Sequence, residues 1–300
     1  MFQNSYELFF QIVAFVYGLV IGSFLNVCIH RVPRSRFMAD EQFLCPHCQG
    51  AITEFPCPLC GQVITDDVEP ILPSKSMGGV RSQCPHCGAV IRAYDNIPVL
   101  SYIFLRGKCR ACKAPISARY PVVELLSAFL AFACAVRFGV TWTAGVYYVL
   151  IACLLVVSFI DVDVQRIPKF ITYPAMIAGL AASSWLTGLG LKESLYGMLC
   201  GGGGLYLLHE TYWLIRKREG MGLGDADLMA MLGTFIGVNG VLFTLMAGAF
   251  IGAILGVLMT VAGQGGMKRR LPFGPFLAMG AILYLFWGES IISWYMNLYR

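Results

Sequence analysis

The chain has 300 residues, of which 57% are hydrophobic and only 13% charged, and its formal net charge is +5. A mean hydropathy of +0.68, with apolar runs long enough to cross hydrocarbon, excludes an ordinary soluble domain and points to a polytopic membrane protein. The modest positive balance calls for no nucleic acid, because membrane topology and anionic lipid headgroups account for it.

The first apolar run, about residues 7–29, has no basic residue before it and is followed by His30, Arg31, Arg34 and Arg36. Cytoplasmic flanks collect Lys and Arg, so this run starts outside and ends in the cytoplasm. It reads as an uncleaved anchor, without the basic start and small-residue cleavage site of a signal peptide. The polar stretch from His30 to Tyr120 is the only segment large enough for a soluble domain, and it holds eight of the twelve cysteines.

Seven further runs follow, at about 121–138, 143–160, 170–187, 193–214, 226–239, 241–262 and 272–290, placed in the bilayer at about one helix per 20 residues. The boundary around Gly237 to Gly240 is soft. The basic clusters Arg106 to Arg119, Arg166 with Lys169, Arg216-Lys217-Arg218 and Lys268-Arg269-Arg270 then all fall on the cytoplasmic side of a chain with both termini outside. Arg137 and Lys192 are the isolated exceptions. Gly201 to Gly204 has no preceding strand and reads as a close helix-packing face rather than a phosphate loop.

The expected fold is therefore all-α and polytopic, with about eight transmembrane helices and a small cytoplasmic domain between helices 1 and 2. The divisions are 1–29, the first membrane helix; 30–120, the cysteine-rich domain; and 121–300, a seven-helix membrane domain.

Within the polar stretch, Cys45-x-x-Cys48, Cys57-x-x-Cys60, Cys84-x-x-Cys87 and Cys109-x-x-Cys112 have zinc-knuckle spacing, which lets two thiolates of one tight turn reach one tetrahedral ion. Two zinc sites are expected. Sequence order favours the first two pairs closing one site and the last two the other, with an interleaved arrangement left open. Thiol exchange is the competing use of such turns, but the reducing side of the membrane favours metal. Four thiolates leave no open position for water, so the zinc is structural. Cys28, Cys134, Cys153 and Cys200 stand singly and read as packing residues. His209-Glu210 lacks the second histidine of a metalloprotease helix.

Two acids stand at the edges of apolar helices: Asp161 in Phe159-Ile160-Asp161-Val162-Asp163, and Asp225 in Gly222-Leu223-Gly224-Asp225. Acids beside a membrane core are costly and usually kept for function. The topology puts both at the cytoplasmic edge, where they can meet around one water. One ionised carboxylate would take a proton from water while the other acid protonates the departing amine, splitting an amide without a covalent intermediate. Asp225 after glycine would equally suit an N-cap, whereas a carboxylate at a helix C-terminus, like Asp161, is disfavoured by the dipole. By helix position Asp225 would be the base and Asp161 the acid. Spacing alone does not choose between Asp161 and Asp163, or between Asp225 and Asp227. A transporter would want polar residues at mid-helix, where these helices are nearly bare, and a thiol oxidoreductase would want its pairs on the oxidising face.

The motifs resemble those of the type IV prepilin peptidases, bifunctional leader peptidases and N-methyltransferases. The resemblance runs from Gly22-Ser23-Phe24-Leu25-Asn26-Val27 and His30-Arg31 through Cys84-Pro85-x-Cys87 to Asp95-Asn96-Ile97-Pro98-Val99-Leu100-Ser101. It continues with Leu105-Arg106-Gly107-Lys108-Cys109-Arg110-x-Cys112, Ile116-Ser117-x-Arg119-Tyr120-Pro121 and Glu124-Leu125-Leu126. It closes with Asp161 and Ile167-Pro168, Gly222-x-Gly224-Asp225, and Pro272-Phe273-Gly274-Pro275-Phe276. The resemblance implies that Asp161 and Asp225 are the catalytic acids of a membrane aspartic peptidase in the bacterial inner membrane. It implies prepilin or type II secretion pseudopilin substrates with a short basic leader, cleavage after a glycine, and N-methylation of the new terminus with S-adenosylmethionine. The methyl transfer is linked by resemblance to the cysteine-rich domain. Asn96, Arg119 and Glu124 are the candidates for holding the donor, and Asn26, Arg31 and Arg106 lie in matching blocks. Each also has a plainer reading: a turn for Asn96, headgroup contacts for the arginines, packing or an ion pair for Glu124. The family usually shows one four-cysteine set, matching Cys84, Cys87, Cys109 and Cys112, so the set from Cys45 to Cys60 looks like an inserted knuckle.

Overall fold

The structure, a computed structural model, describes residues 2–34, 43–44, 51–52, 82–84, 86–217, 222–262 and 272–298. The chain is mostly helical. Helix α1 spans Phe2–Arg31 and passes into a 3-10 turn at Val32–Arg34. Two short antiparallel strands follow, β1 at Phe43–Leu44 and β2 at Ala51–Ile52. A 3-10 turn at Ala93–Asn96 leads to the short α2, Leu100–Phe104. Then come α3 (Arg119–Phe138), α4 (Trp142–Val164), α5 (Lys169–Trp185), α6 (Leu191–Met198) and α7 (Gly204–Arg216), the last two joined by a π-helical turn at Leu199–Gly203. Helices α8 (Leu223–Val261) and α9 (Gly274–Asn297) complete the bundle.

Five of these helices, α1, α3, α4, α8 and α9, are long and apolar enough to cross a membrane. The sequence expects two runs where α8 stands, and the chain breaks between them at Gly237, whose φ of 66° and ψ of −172° suit only glycine. An unbroken helix of this length would be about 58 Å long, roughly twice the hydrocarbon thickness.

Helix α4 is the centre of the bundle: Leu150, Ile151, Leu154, Val157 and Ile160 are fully buried along it. It packs against α1, α3, α5 and α9. Between α1 and α3 the backbones nearly touch, because Gly18 and Gly22 present no side chain at i and i+4. A Cβ on Gly18 would lie 2.6 Å from the Ala128 Cα, and one on Gly22 the same distance from the Glu124 Cα. Buried polar groups here are paired: the Ser127 hydroxyl donates to the Gly18 carbonyl at 2.8 Å and lies 2.9 Å from the Tyr148 hydroxyl. The four glycines at 201–204, three in the π-helical turn and one opening α7, divide in two. Gly201 and Gly202 press on Met229 and Ala230 of α8, as a packing face requires, while Gly203 and Gly204 meet nothing within 4 Å. Arg137, an exception to the charge pattern, donates to the Phe286 carbonyl at 3.3 Å and lies 3.7 Å from Glu289.

Candidate active site

One end of the bundle gathers the N-termini of α3, α8 and α9 with the C-terminus of α4. Asp161 is buried in the last turn of α4. Its Oδ2 accepts the backbone N–H of Gly274, the first residue of α9, at 2.9 Å. The misplaced C-terminal carboxylate thus has a compensating partner, since the amide and the positive end of α9 face it. Gly274 must lack a side chain for this, because a Cβ there would sit 2.7 Å from the same oxygen.

Asp225 stands in the first turn of α8, but it is not the N-cap. Gly222 holds that position, and the Asp225 N–H donates back to its carbonyl at 3.2 Å. The capping explanation for Asp225 therefore falls away, because its carboxylate is one turn too far along the helix. That carboxylate feels the charge of Asp161. Gly224 allows the approach: a Cβ there would come within 3.0 Å of Ile167 Cβ, in the turn that follows α4. Two carboxylates in electrostatic reach at a bundle end can relay protons through one water.

The neighbouring acids have other partners. Asp163 is exposed and takes both of its contacts from Arg119 Nη1, at 2.7 and 2.9 Å. Arg119 also donates to the Phe159 carbonyl at 3.0 Å and stacks over the Phe159 ring, so it caps the C-terminal end of α4 from the start of α3. Asp227 is half-buried, hydrogen-bonded to Tyr173 and near Lys169.

The cysteine region attaches to this same end. Asn26 of α1 donates to the Tyr120 carbonyl at 3.0 Å. Buried Glu124 accepts the Val99 N–H at 2.7 Å and is also hydrogen-bonded to Ser23. Val99 has φ 60° and ψ −49°, and the Leu100 N–H reaches back to the Pro98 carbonyl at 2.6 Å. This is the rarer and strained hand of γ-turn, unfavourable for a β-branched residue, and it persists where the surroundings over-determine it. Asn96 ends the 3-10 turn before it and is exposed, and Arg106 is exposed in the turn after α2.

Cys84, Cys87, Cys109 and Cys112 converge, their sulfurs all within 4.8 Å of one another. Two similar turns present them. The Cys84 N–H bonds the Ala89 carbonyl and the Cys109 N–H the Ala114 carbonyl, with Gly88 and Lys113 at positive φ in matching positions. Amides of Cys87 and His86 pull the Cys84 thiol down to about 6, which supplies a thiolate near neutral pH. Arg110, inside the second turn, forms a bidentate pair with Asp95 at 2.6 to 3.1 Å. Its hydrogen bond holds the Asp95 carboxyl below its usual range, so the pair is intact at neutral pH and opens only in acid. The other expected ligands, Cys45, Cys48, Cys57 and Cys60, lie outside the described residues.

Known proteins match this layout along its length. Residues 16–138 match the Bacterial Peptidase A24 N-terminal domain, and residues 148–257 match the Type IV leader peptidase family. A prepilin leader peptidase/N-methyltransferase of Stutzerimonas stutzeri is 37% identical over 299 residues, covering 100% of this chain and 98% of the relative. The protein of that name from Burkholderia pseudomallei (strain 1026b) is 39% identical, with 92% and 84% covered, and that of Pseudomonas aeruginosa 35%, with 98% and 96% covered. The chain belongs to the type IV leader peptidase family. No solved structure matches it.

As a member of the type IV leader peptidases the chain is an enzyme. Sequence reasoning gave no role to Gly274, although Pro-Phe-Gly-Pro-Phe carries a helix-start signal in Pro275, which opens α9. Changing Gly274→Ala should force Asp161 off its amide. The expected outcome is a loss of leader peptidase activity of at least tenfold, with about 1–3 kcal/mol of destabilisation, read by cleavage rate and thermal unfolding in detergent.

Proposed function

We propose that this chain removes the short basic leader from type IV prepilins and type II secretion pseudopilins at the cytoplasmic face of the bacterial inner membrane. In this reading Asp161 and Asp225 hold one water between them. One carboxylate, ionised, withdraws a proton as the water attacks the scissile carbonyl; the other, protonated, gives its proton to the leaving nitrogen. The observation that carries the reading is the placement of these two acids from separate helices at one end of the bundle: Asp161 on the first amide of α9, and Asp225 in the first turn of α8, where Gly224 packs on Ile167 just after α4. Because Asp225 lies in the first turn of α8 and α9 begins against Asp161, helix position no longer ranks one as base and the other as acid.

The same end collects the basic flanks of the membrane helices, so it would be the cytoplasmic end. Eight crossings follow if α1, α3, α4, α5, α6 with α7, both parts of α8, and α9 each span. The membrane domain 121–300 would then be the peptidase and residues 30–120 the part tied to methylation.

The cysteine cluster fits zinc: four sulfurs are close enough for one tetrahedral ion, and one thiol is already acidic. Bound there, zinc would hold Cys84-x-x-Cys87 to Cys109-x-x-Cys112 and supply no chemistry. For S-adenosylmethionine the three candidates do not compose a ready site. Arg119 is engaged by Asp163 and the Phe159 carbonyl, Glu124 by Val99 and Ser23, and Asn96 lies in the exposed turn. N-methylation of the new pilin terminus rests on the relatives' names.

Glu124 is instead a fastening for the cytoplasmic segment. Glu124→Ala should leave the Val99 amide unpaired at a cost of about 1–3 kcal/mol, seen as faster proteolysis between residues 86 and 118. Glu124→Gln, which keeps an acceptor, should restore most of the resistance. The functional reading itself is tested by incubating the purified protein with a prepilin and following leader loss by mass. A wild-type protein that cleaves no candidate precursor would count against it.

A further inference from the structure

Helix α2 carries its apolar stripe outward. Leu100, Ile103 and Phe104, at i, i+3 and i+4, are 52%, 61% and 80% exposed, and Ile97 one turn earlier is exposed as well. Its other side is occupied: Ser101 donates to the Ile97 carbonyl, and Tyr102 packs against Gly107. Nothing among the described residues covers the stripe.

The fastening described above sets its level. Val99, immediately before α2, is bonded to Glu124, the sixth residue of the membrane helix α3. That places the start of α2 about 7.5 Å along a membrane helix from its first residue, beside the entry point and not out in the cytosol. The surrounding charge has one sign. Between residues 82 and 120 the sequence has Arg92, Arg106, Lys108, Arg110, Lys113 and Arg119 against a single acid, Asp95, which Arg110 occupies. Arg106 and Lys108, directly after the stripe, are exposed.

We infer that Leu100, Ile103 and Phe104 lie in the membrane interface, their side chains among the acyl chains of the leaflet that α3 enters, with Arg106 and Lys108 on anionic headgroups. An apolar face of this kind buries about 5–10 Å into the headgroup boundary, and neighbouring cations strengthen its hold on anionic lipid. The surface holds the cysteine turns against the bilayer, at the same end of the bundle as Asp161 and Asp225. It depends on α3 being a membrane helix and not on the catalytic reading.

The test places the photo-crosslinker p-benzoylphenylalanine at Phe104, and separately at Ile103, in the full-length protein. The protein is reconstituted in vesicles of phosphatidylethanolamine and phosphatidylglycerol, and adducts are identified by mass. Covalent lipid adducts at both positions, with or without a prepilin, are the expected result. Arg106→Gln should then lower the share of phosphatidylglycerol among those adducts, roughly fivefold. Adducts to prepilin in place of lipid would reassign the stripe to the substrate and overturn the inference, as would the absence of any lipid adduct.

Discussion

Asp161→Asn and Asp225→Asn are each expected to slow leader removal by about 10²–10⁴-fold, the usual worth of a positioned acid or base. Asparagine keeps the size of the side chain, and at position 161 its carbonyl can still accept the Gly274 N–H, so the loss should be chemical and not structural. If the two acids act on one water, the double variant should be scarcely slower than either single one, because each removes the same step. The neighbours give the contrast. Asp163→Asn weakens an exposed pair with Arg119, worth little in water, and should change the cleavage rate only a few-fold. A larger fall for Asp163→Asn than for Asp161→Asn, in initial rates on one prepilin, would move the site to the wrong acid.

Loss of the cysteine cluster should act elsewhere. Cys84→Ser or Cys109→Ser removes one of four convergent sulfurs, and with it a metal site of the kind that contributes roughly 10–16 kcal/mol of apparent binding free energy. Zinc content should fall by one ion per chain, and the segment between residues 86 and 118 should become open to protease. Methyl transfer should be lost. Leader cleavage should fall much less than in the aspartate variants, since Asp161 and Asp225 sit on α4 and α8, with Asp161 held by the Gly274 amide and the start of α8 packed through Gly224 on Ile167. Cys28→Ser, which touches a single half-buried thiol on α1, should leave the zinc content alone. Metal analysis beside limited proteolysis separates these outcomes.

The sequence made the long helices legible, because apolar runs of membrane length have few other uses. Rare acids at helix edges marked Asp161 or Asp163 and Asp225 or Asp227, and only the family resemblance narrowed each pair to one. The convergence of Cys84, Cys87, Cys109 and Cys112 is the arrangement that sequence order favours, whereas their spacing alone leaves an interleaved pairing open. What could not be read were contacts between distant segments. Nothing local tells that Asp161 has its amide partner 113 residues away on Gly274, or that Arg119 spends its charge on Asp163 and a carbonyl of α4. The N-cap reading of Asp225 failed by one turn, since a Gly-x-Gly-Asp run fits a helix starting at Asp225 or at Leu223, and packing against Ile167 selects the earlier start. The break at Gly237 was hidden among several glycines, where only the path of the backbone decides which one bends.

The most direct measurement gives the Asp225→Asn protein, with S-adenosylmethionine, both an intact prepilin and the same pilin already lacking its leader, and reads the masses of both. The intact prepilin is expected to keep its leader while the shortened pilin gains a methyl group. Leader removal at the wild-type rate would contradict it.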